Sequence, residues 1–243
     1  MKRPVLALAC AAGLLTATGA HARPANHPGG ADGQHGPRSR TPGDPASVIA
    51  AELGFARLAQ DKGQWTAFRA TAAPDAEMFV PQRVNAQVWL KKRPEPAQAV
   101  RWQPHQVWLS CDGATAITRG AWQRGEGRGT SQGYFTTIWQ RQPKDGAWKW
   151  VLDQGDDLAQ PLEAPDMISG RAAECVPRAR PVPAAPPPAG VDAKDGASAD
   201  KTLQWSSWVW PDGSRQVSAR IWNGTSFDPV FDLKVAPETK SSG

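Results

Sequence analysis

The sequence predicts an α+β domain in which helices precede a curved antiparallel sheet, followed by a smaller all-β piece. Three observations predict it. Residues 44–63 repeat apolar side chains with helical period. Residues 99–154 switch to period two, in four runs rich in Val, Ile, Thr and Trp, punctuated by Asp112-Gly113 and Asp145-Gly146. Residues 203–235 repeat that β pattern around two further turn signals.

Asp44-Pro45 opens the first helix, a capping residue followed by proline at the first helical position. Val48, Ala51, Phe55, Leu58 and Ala59 share one face, and Gly63 ends the run. Glu52 falls on that apolar side, beside Val48 and Phe55. A second short helix from about Gln64 carries Trp65 and Phe68. Ala72-Ala73-Pro74-Asp75 reads as a break, 77–80 as a short strand and 85–90 as a third small helix. The strand runs are 99–110, 115–123, 133–141 and 147–154, with a longer loop over 125–129. Connections this short force antiparallel neighbours, so helices and sheet form segregated layers. At the far end, 203–210, 215–222 and 227–235 read as a three-stranded meander turning at Pro211-Asp212-Gly213-Ser214 and Asn223-Gly224. Three strands are marginal alone. The face built from Trp205, Trp208, Trp210 and Trp222 should therefore dock on the main domain or on a partner.

The remaining segments are read from composition. Lys2 and Arg3, the apolar run from Val5 to Leu15 and Ala20-His21-Ala22 form the three parts of a secretory signal peptide over 1–22, with mature protein starting at Arg23 in the periplasm or outside the cell. The run is shorter than the roughly 20 residues a membrane span needs. A lipid anchor at Cys10 is the alternative, though Ala7-Leu8-Ala9 fits such a site poorly. Residues 23–43 are too polar and glycine-rich to order themselves, 176–201 reads as a Pro/Ala-rich linker, and 237–243 as a tail. That leaves 44–175 and 202–236 as folded units. After export Cys111 and Cys175 remain, either as a disulfide or as two small buried hydrophobes. The net charge is +5 with no Lys/Arg stripe, so nucleic acid is not an expected partner.

Several segments carry a resemblance. Glu52-Leu53-x-Phe55, Lys62-Gly63-x-Trp65-x-x-Phe68 and Asp75-Ala76-x-Met78-Phe79 resemble the opening of DUF4440/SnoaL-like proteins. Thr118-x-Gly120-x-Trp122, Gly133-Tyr134-Phe135-x-Thr137-x-Trp139 and Asp145-Gly146-x-Trp148-Lys149-Trp150-Val151-Leu152-Asp153 are similar to the last three strands of the same family. The family belongs to the nuclear transport factor 2-like (NTF2-like) superfamily, and the resemblance covers roughly 45–155. It implies a cone of three helices closing over a bent sheet, with a pocket between. Related folds host isomerases, cyclases and dehydratases that use pocket carboxylates, histidines and tyrosines.

Four residues are candidates for chemistry. His105 is the histidine within the folded region and would suit a general base, or would simply sit half-exposed on a strand. Glu52, if buried, needs a partner or a raised pKa; Arg69 on the second helix is the expected partner, and a pocket acid is the alternative. Asp153 ends the last strand of the main sheet, and Tyr134 could donate a hydrogen bond. Trp108, Trp122 and Trp139 either fill the core or line the pocket for a flat apolar ligand. No metal-ligand cluster, phosphate loop or nucleophile motif stands out, so no cofactor is expected. Expected partners are a small apolar molecule and a second copy of the chain in a homodimer. The expected role is an exported NTF2-like binding or accessory domain. The alternatives are a small-molecule lyase or isomerase, or an interaction module presenting its C-terminal tryptophans.

Overall fold

A computed structural model describes residues 43–125, 130–175 and 186–237. The signal peptide, the segment up to 42, the first part of the expected linker and the tail from 238 lie outside the described residues. The first helix, α1, spans Ala46–Lys62 and buries Val48, Glu52, Phe55 and Ala59. Asp44 Oδ1 accepts the Ala46 amide at 2.9 Å, and Gly63 takes a positive φ that releases the chain into α2, Gln64–Thr71. The third helix, α3 (Ala86–Leu90), is capped by the Asn85 side chain, which accepts the Val88 amide.

The main sheet has seven strands: β1 (Ala72–Phe79), β2 (Arg83–Asn85), β3 (Arg101–Leu109), β4 (Thr115–Arg124), β5 (Ser131–Arg141), β6 (Trp148–Asp157) and β7 (Ser169–Ala172). Their order is β2-β1-β6-β5-β4-β3-β7. The expected antiparallel meander is its centre, β3 to β6. The sheet as a whole is mixed, because β1 runs parallel to β6 and β7 parallel to β3. The stretch 72–75, expected as a break, opens β1. Pro74 lies in the slack where the β1–β6 register shifts between Ala72 and Glu77, so its missing N–H costs no ladder bond.

The C-terminal sheet has four strands rather than three: β8 (Asp192–Ala197), β9 (Leu203–Val209), β10 (Arg215–Trp222) and β11 (Phe227–Val235), in the order β11-β10-β9-β8. The extra strand falls inside the expected linker. Asp-Ala-Lys-Asp-Gly-Ala has little intrinsic strand preference, and tertiary partners override it. β8 pairs along β9, Arg83 Nε donates to Asp192 Oδ2 at 2.8 Å, and Lys194 pairs with Glu77. Gly196 has to be glycine, since a Cβ there would lie 2.1 Å from the Trp205 ring.

Each face of the main sheet has its own cover. The helices pack on one face around Val48, Phe55, Leu90, Val107, Trp139 and Trp150. The C-terminal sheet docks on the other, where Ile117, Ile138 and Leu152 meet Leu203, Ala219 and Ile221. Full burial of side chains this size stabilises by roughly 1.5–3 kcal/mol each. Cys111 and Cys175 lie within bonding distance, their Cα atoms 5.2 Å apart, so the chain leaving β7 is tied back to the end of β3. No described helix is long and apolar enough to cross a membrane.

Candidate ligand cavity

Between the helices and the main sheet lies a cavity of about 740 Å³. Its inner wall is aromatic: Phe55 from α1, Trp65 and Phe68 from α2, Trp102 from β3, Trp122 from β4 and Phe135 from β5. The rings meet edge to face, with Phe55 4.7 Å from Trp102 and 4.9 Å from Phe68 between centroids. Two glycines of the strand motifs make this wall possible. A Cβ on Gly133 would lie 2.6 Å from the Trp122 ring, and one on Gly120 would strike the Gln103 carbonyl. The rim is polar and more exposed, with Arg124, Asp156 and Asp157, and it is completed by Gly213, Arg215 and the residues after β11.

A polar row crosses this aromatic wall. Thr118, Thr137 and Asp153 are direct cross-strand neighbours on β4, β5 and β6. Thr137 Oγ1 donates to Asp153 Oδ2 at 2.8 Å, and Thr118 Oγ1 donates to Glu52 Oε2 at 2.6 Å. Glu52 also accepts the indole N–H of Trp102 on Oε1 (2.7 Å) and of Trp139 on Oε2 (2.9 Å). Asp153 lines the cavity; Glu52, fully buried, stands behind its wall. Burial pushes the Glu52 carboxyl above the usual carboxylate range, against the pull of its three donors. Burial raises Asp153 to about 7; the Thr137 hydroxyl opposes the rise, and the neighbouring Glu52 charge adds to it. Asp153 is half-buried at the mouth-side wall of the cavity, and the groups packed around its carboxyl make desolvation dominate.

The other expected residues lie elsewhere. Arg69 is not the partner of Glu52: its guanidinium donates to the Leu90 carbonyl, Thr66 Oγ1 and Glu95. It points along the helix layer towards α3, and Glu95 also accepts the Trp65 and Thr66 amides at the start of α2. His105 does not line the cavity. It falls where the β3–β4 register slips between Pro104 and Gln106, the two-against-one arrangement of a β-bulge, which turns it towards Arg119. Its pKa is lowered by burial and by that arginine. Tyr134 faces away from the cavity as well, near Arg119, Asp156 and Arg215. Burial and the Asp156 charge raise its pKa. Of the expected ligand-contacting tryptophans, Trp122 lines the cavity. Trp139 lies behind the wall on Glu52, and Trp108 packs on Phe231 of the C-terminal sheet. The contribution of Arg215 and Gly213 to the rim was not anticipated, because nothing in the sequence says which face the C-terminal sheet covers. Among the described residues, no group of three or more His, Cys, Asp or Glu is placed to hold a metal ion.

No protein-family model and no curated protein matches the chain. Solved structures similar to it include an NTF2-like protein of unknown function from Shewanella oneidensis, at 16% identity over 46% of this chain and 98% of that one, with a TM-score of 0.38. A putative ketosteroid isomerase from Parabacteroides distasonis is 13% identical over 49% and 97%, with a TM-score of 0.39. A CaMKII hub from S. rosetta is 18% identical over 49% and 100%, with a TM-score of 0.37. The structural neighbours are thus NTF2-like proteins, and identities and scores this low leave activity to the chain's own residues.

Proposed function

We propose that the chain is a small-molecule-binding domain that works outside the cytoplasm, holding an apolar, ring-shaped ligand in the cavity. One observation carries this reading: Phe55, Trp65, Phe68, Trp102, Trp122 and Phe135 share one wall of an open-mouthed cavity of about 740 Å³, within the range that drug-sized ligands occupy. The Cys111–Cys175 pair supports an oxidising compartment. The strand motifs ending in Trp122, Trp139 and Asp153 support the narrower likeness to DUF4440/SnoaL-like proteins.

A lyase or isomerase is the second reading, favoured by Asp153, whose pKa of about 7 suits a general base at neutral pH. Acid–base chemistry on one substrate needs a second titratable group converging on the same atoms. His105 and Tyr134 are on the wrong side of the sheet, Glu52 is sealed behind Trp102 and Thr118, and Asp156 and Asp157 belong to the more exposed rim. Binding without turnover is therefore the better-supported role.

Tryptophan emission tests it, because Trp65, Trp89, Trp102 and Trp122 border the cavity. Naphthalene-1-methanol should quench the wild type saturably. Val100→Trp should abolish the effect by filling the space, since the Val100 amide, which binds Gln64 Oε1, is untouched by a side-chain change. No saturable change up to millimolar probe, or equal quenching of the filled variant, would remove the cavity reading.

A further inference from the structure

Two carboxylates stand one behind the other at the cavity, and no cation of the described chain answers either. Glu52 is held only by neutral donors: one hydroxyl and two indole N–H groups. Asp153 Oδ2 accepts from Thr137, Oδ1 accepts from no described residue, and the charge that acts on the group is Glu52, of like sign. The arginines lining the cavity belong to its rim. Arg124 is exposed, and Arg215 donates to the Gly155 carbonyl at 2.5 Å, on the same rim as Asp156 and Asp157. No titratable side chain of α2 or α3 lines the cavity.

The aromatic wall has the same electrostatic sign. The Trp102 indole N–H is spent on Glu52, and that of Trp122 on the Tyr134 carbonyl at 3.1 Å. These rings therefore offer a ligand their electron-rich carbon framework and no donor. Ring quadrupoles attract cations, and more strongly where water is excluded. A buried carboxylate without a counter-charge is costly, and a ligand that supplies the charge removes that cost.

We propose that the cavity selects an organic ammonium, an apolar or aromatic body bearing one protonated amine, with the charge on Asp153 Oδ1 and the body among Trp102, Trp122 and Phe135. This rests on the cavity being a ligand site, as argued above. Binding such a cation favours the ionised Asp153, so affinity rises between pH 6 and 8 while the amine stays protonated, and a proton is released on binding.

Three isosteric probes test the proposal by calorimetry on the full mature chain: 1-naphthylmethylammonium, naphthalene-1-methanol and 1-naphthoate. At pH 8 the ammonium should bind about tenfold or more tighter than the alcohol, and the carboxylate weakest. At pH 5.5 the ammonium's advantage should shrink, and Asp153→Asn should erase it. The pH series on the wild type stands even if that variant folds poorly. Equal affinities for ammonium and alcohol, or tightest binding of the carboxylate, would overturn the ammonium assignment and leave the cavity reading intact. Failure of all three to bind would overturn both.

Discussion

The two faces of the main sheet use the same strands for opposite purposes. On β4 and β5, Thr118, Thr137 and Trp139 look towards the helices, while their neighbours Ile117, Thr136 and Ile138 look towards the C-terminal sheet. The outer face is closed by apolar contact with the C-terminal sheet and by the Cys111–Cys175 tie, with Arg119, Tyr134 and Gln154 on the same side. The helix face is left open over Asp153 and carries two carboxylates with no described cation beside them. One face is built for stability. The other holds two desolvated carboxylates with no described counter-charge beside them, a feature that clusters at binding surfaces. Changes on the outer face should therefore alter stability and spare ligand affinity, and changes on the polar row should alter pH dependence.

The largest expected effect lies on the outer face. Ile138 is fully buried between the two sheets. Ile138→Ala should lower unfolding free energy by about 2–5 kcal/mol in denaturant titrations. Probe affinity of the surviving folded fraction should stay within a factor of two of wild type. A large loss of affinity would mean that the two faces are coupled.

Next in size is the covalent tie. Cys175→Ser should cost about 2–4 kcal/mol, through release of a 64-residue separation in the unfolded chain. Reductant added to the wild type should reproduce that loss in a thermal melt. Insensitivity to reductant would show that the sulfurs are not joined.

The same contrast explains what the sequence disclosed. The outer face and the helix wheel were legible because burial follows periodicity: Val48, Phe55 and Ala59 lie inside, as the 3.6-residue spacing requires. The burial of Glu52 was legible by the same rule, and its partners were not. Trp102, Thr118 and Trp139 lie 50 to 87 residues away and reach Glu52 through sheet register, which spacing along one helix does not encode. Asp153 reads as the end of its strand, shortly before Asp156 and Asp157, and nothing in that local sequence marks it as buried. Its burial depends on Thr137 beside it and on helices closing over it. His105 misled because strict alternation ignores the slip at Pro104–Gln106. β8 was hidden because its sequence has no strand signal, and Arg83, Glu77 and β9 supply the order.

Glu52→Gln should have an intermediate effect. Every oxygen of Glu52 accepts from a donor, so an amide NH₂ in either orientation faces an indole N–H: Trp102 at one end, Trp139 at the other. The clash should cost about 1–3 kcal/mol at pH 5. The sign with pH follows from the raised carboxyl. The folded state of the wild type holds the Glu52 proton more tightly than the unfolded chain does, so that contribution is full below the unfolded value and is lost as pH rises through the folded one. Gln has no such loss, so the gap between variant and wild type should narrow towards pH 9. Removing the Glu52 charge should also lower the Asp153 pKa from about 7, visible in a carboxyl NMR titration. A gap that widens with pH would mean Glu52 is stabilised as the anion.

The smallest effect belongs to Arg69. Its ion pair with Glu95 spans 3.5 Å with both side chains about a third exposed, so solvent screens it. Arg69→Met keeps the aliphatic stem and loses that pair, together with the bonds to Thr66, which is part-exposed, and to the Leu90 carbonyl, which still accepts the Arg93 amide. The cost should be about 1 kcal/mol in a thermal melt. What makes this small change informative is its combination with Glu52→Gln. Arg69 and Glu52 share no hydrogen-bond partner: one serves the α2–α3 connection, the other the polar row on the sheet. Independent sites add to within about 0.3–0.5 kcal/mol, whereas an ion pair would make the double variant cost less than the sum. Additive losses assign the two residues to separate networks and leave Glu52 without a cation of its own, the condition under which an ammonium ligand has a charge to answer. A coupling above about 1 kcal/mol would pair Glu52 with Arg69 after all and remove that condition.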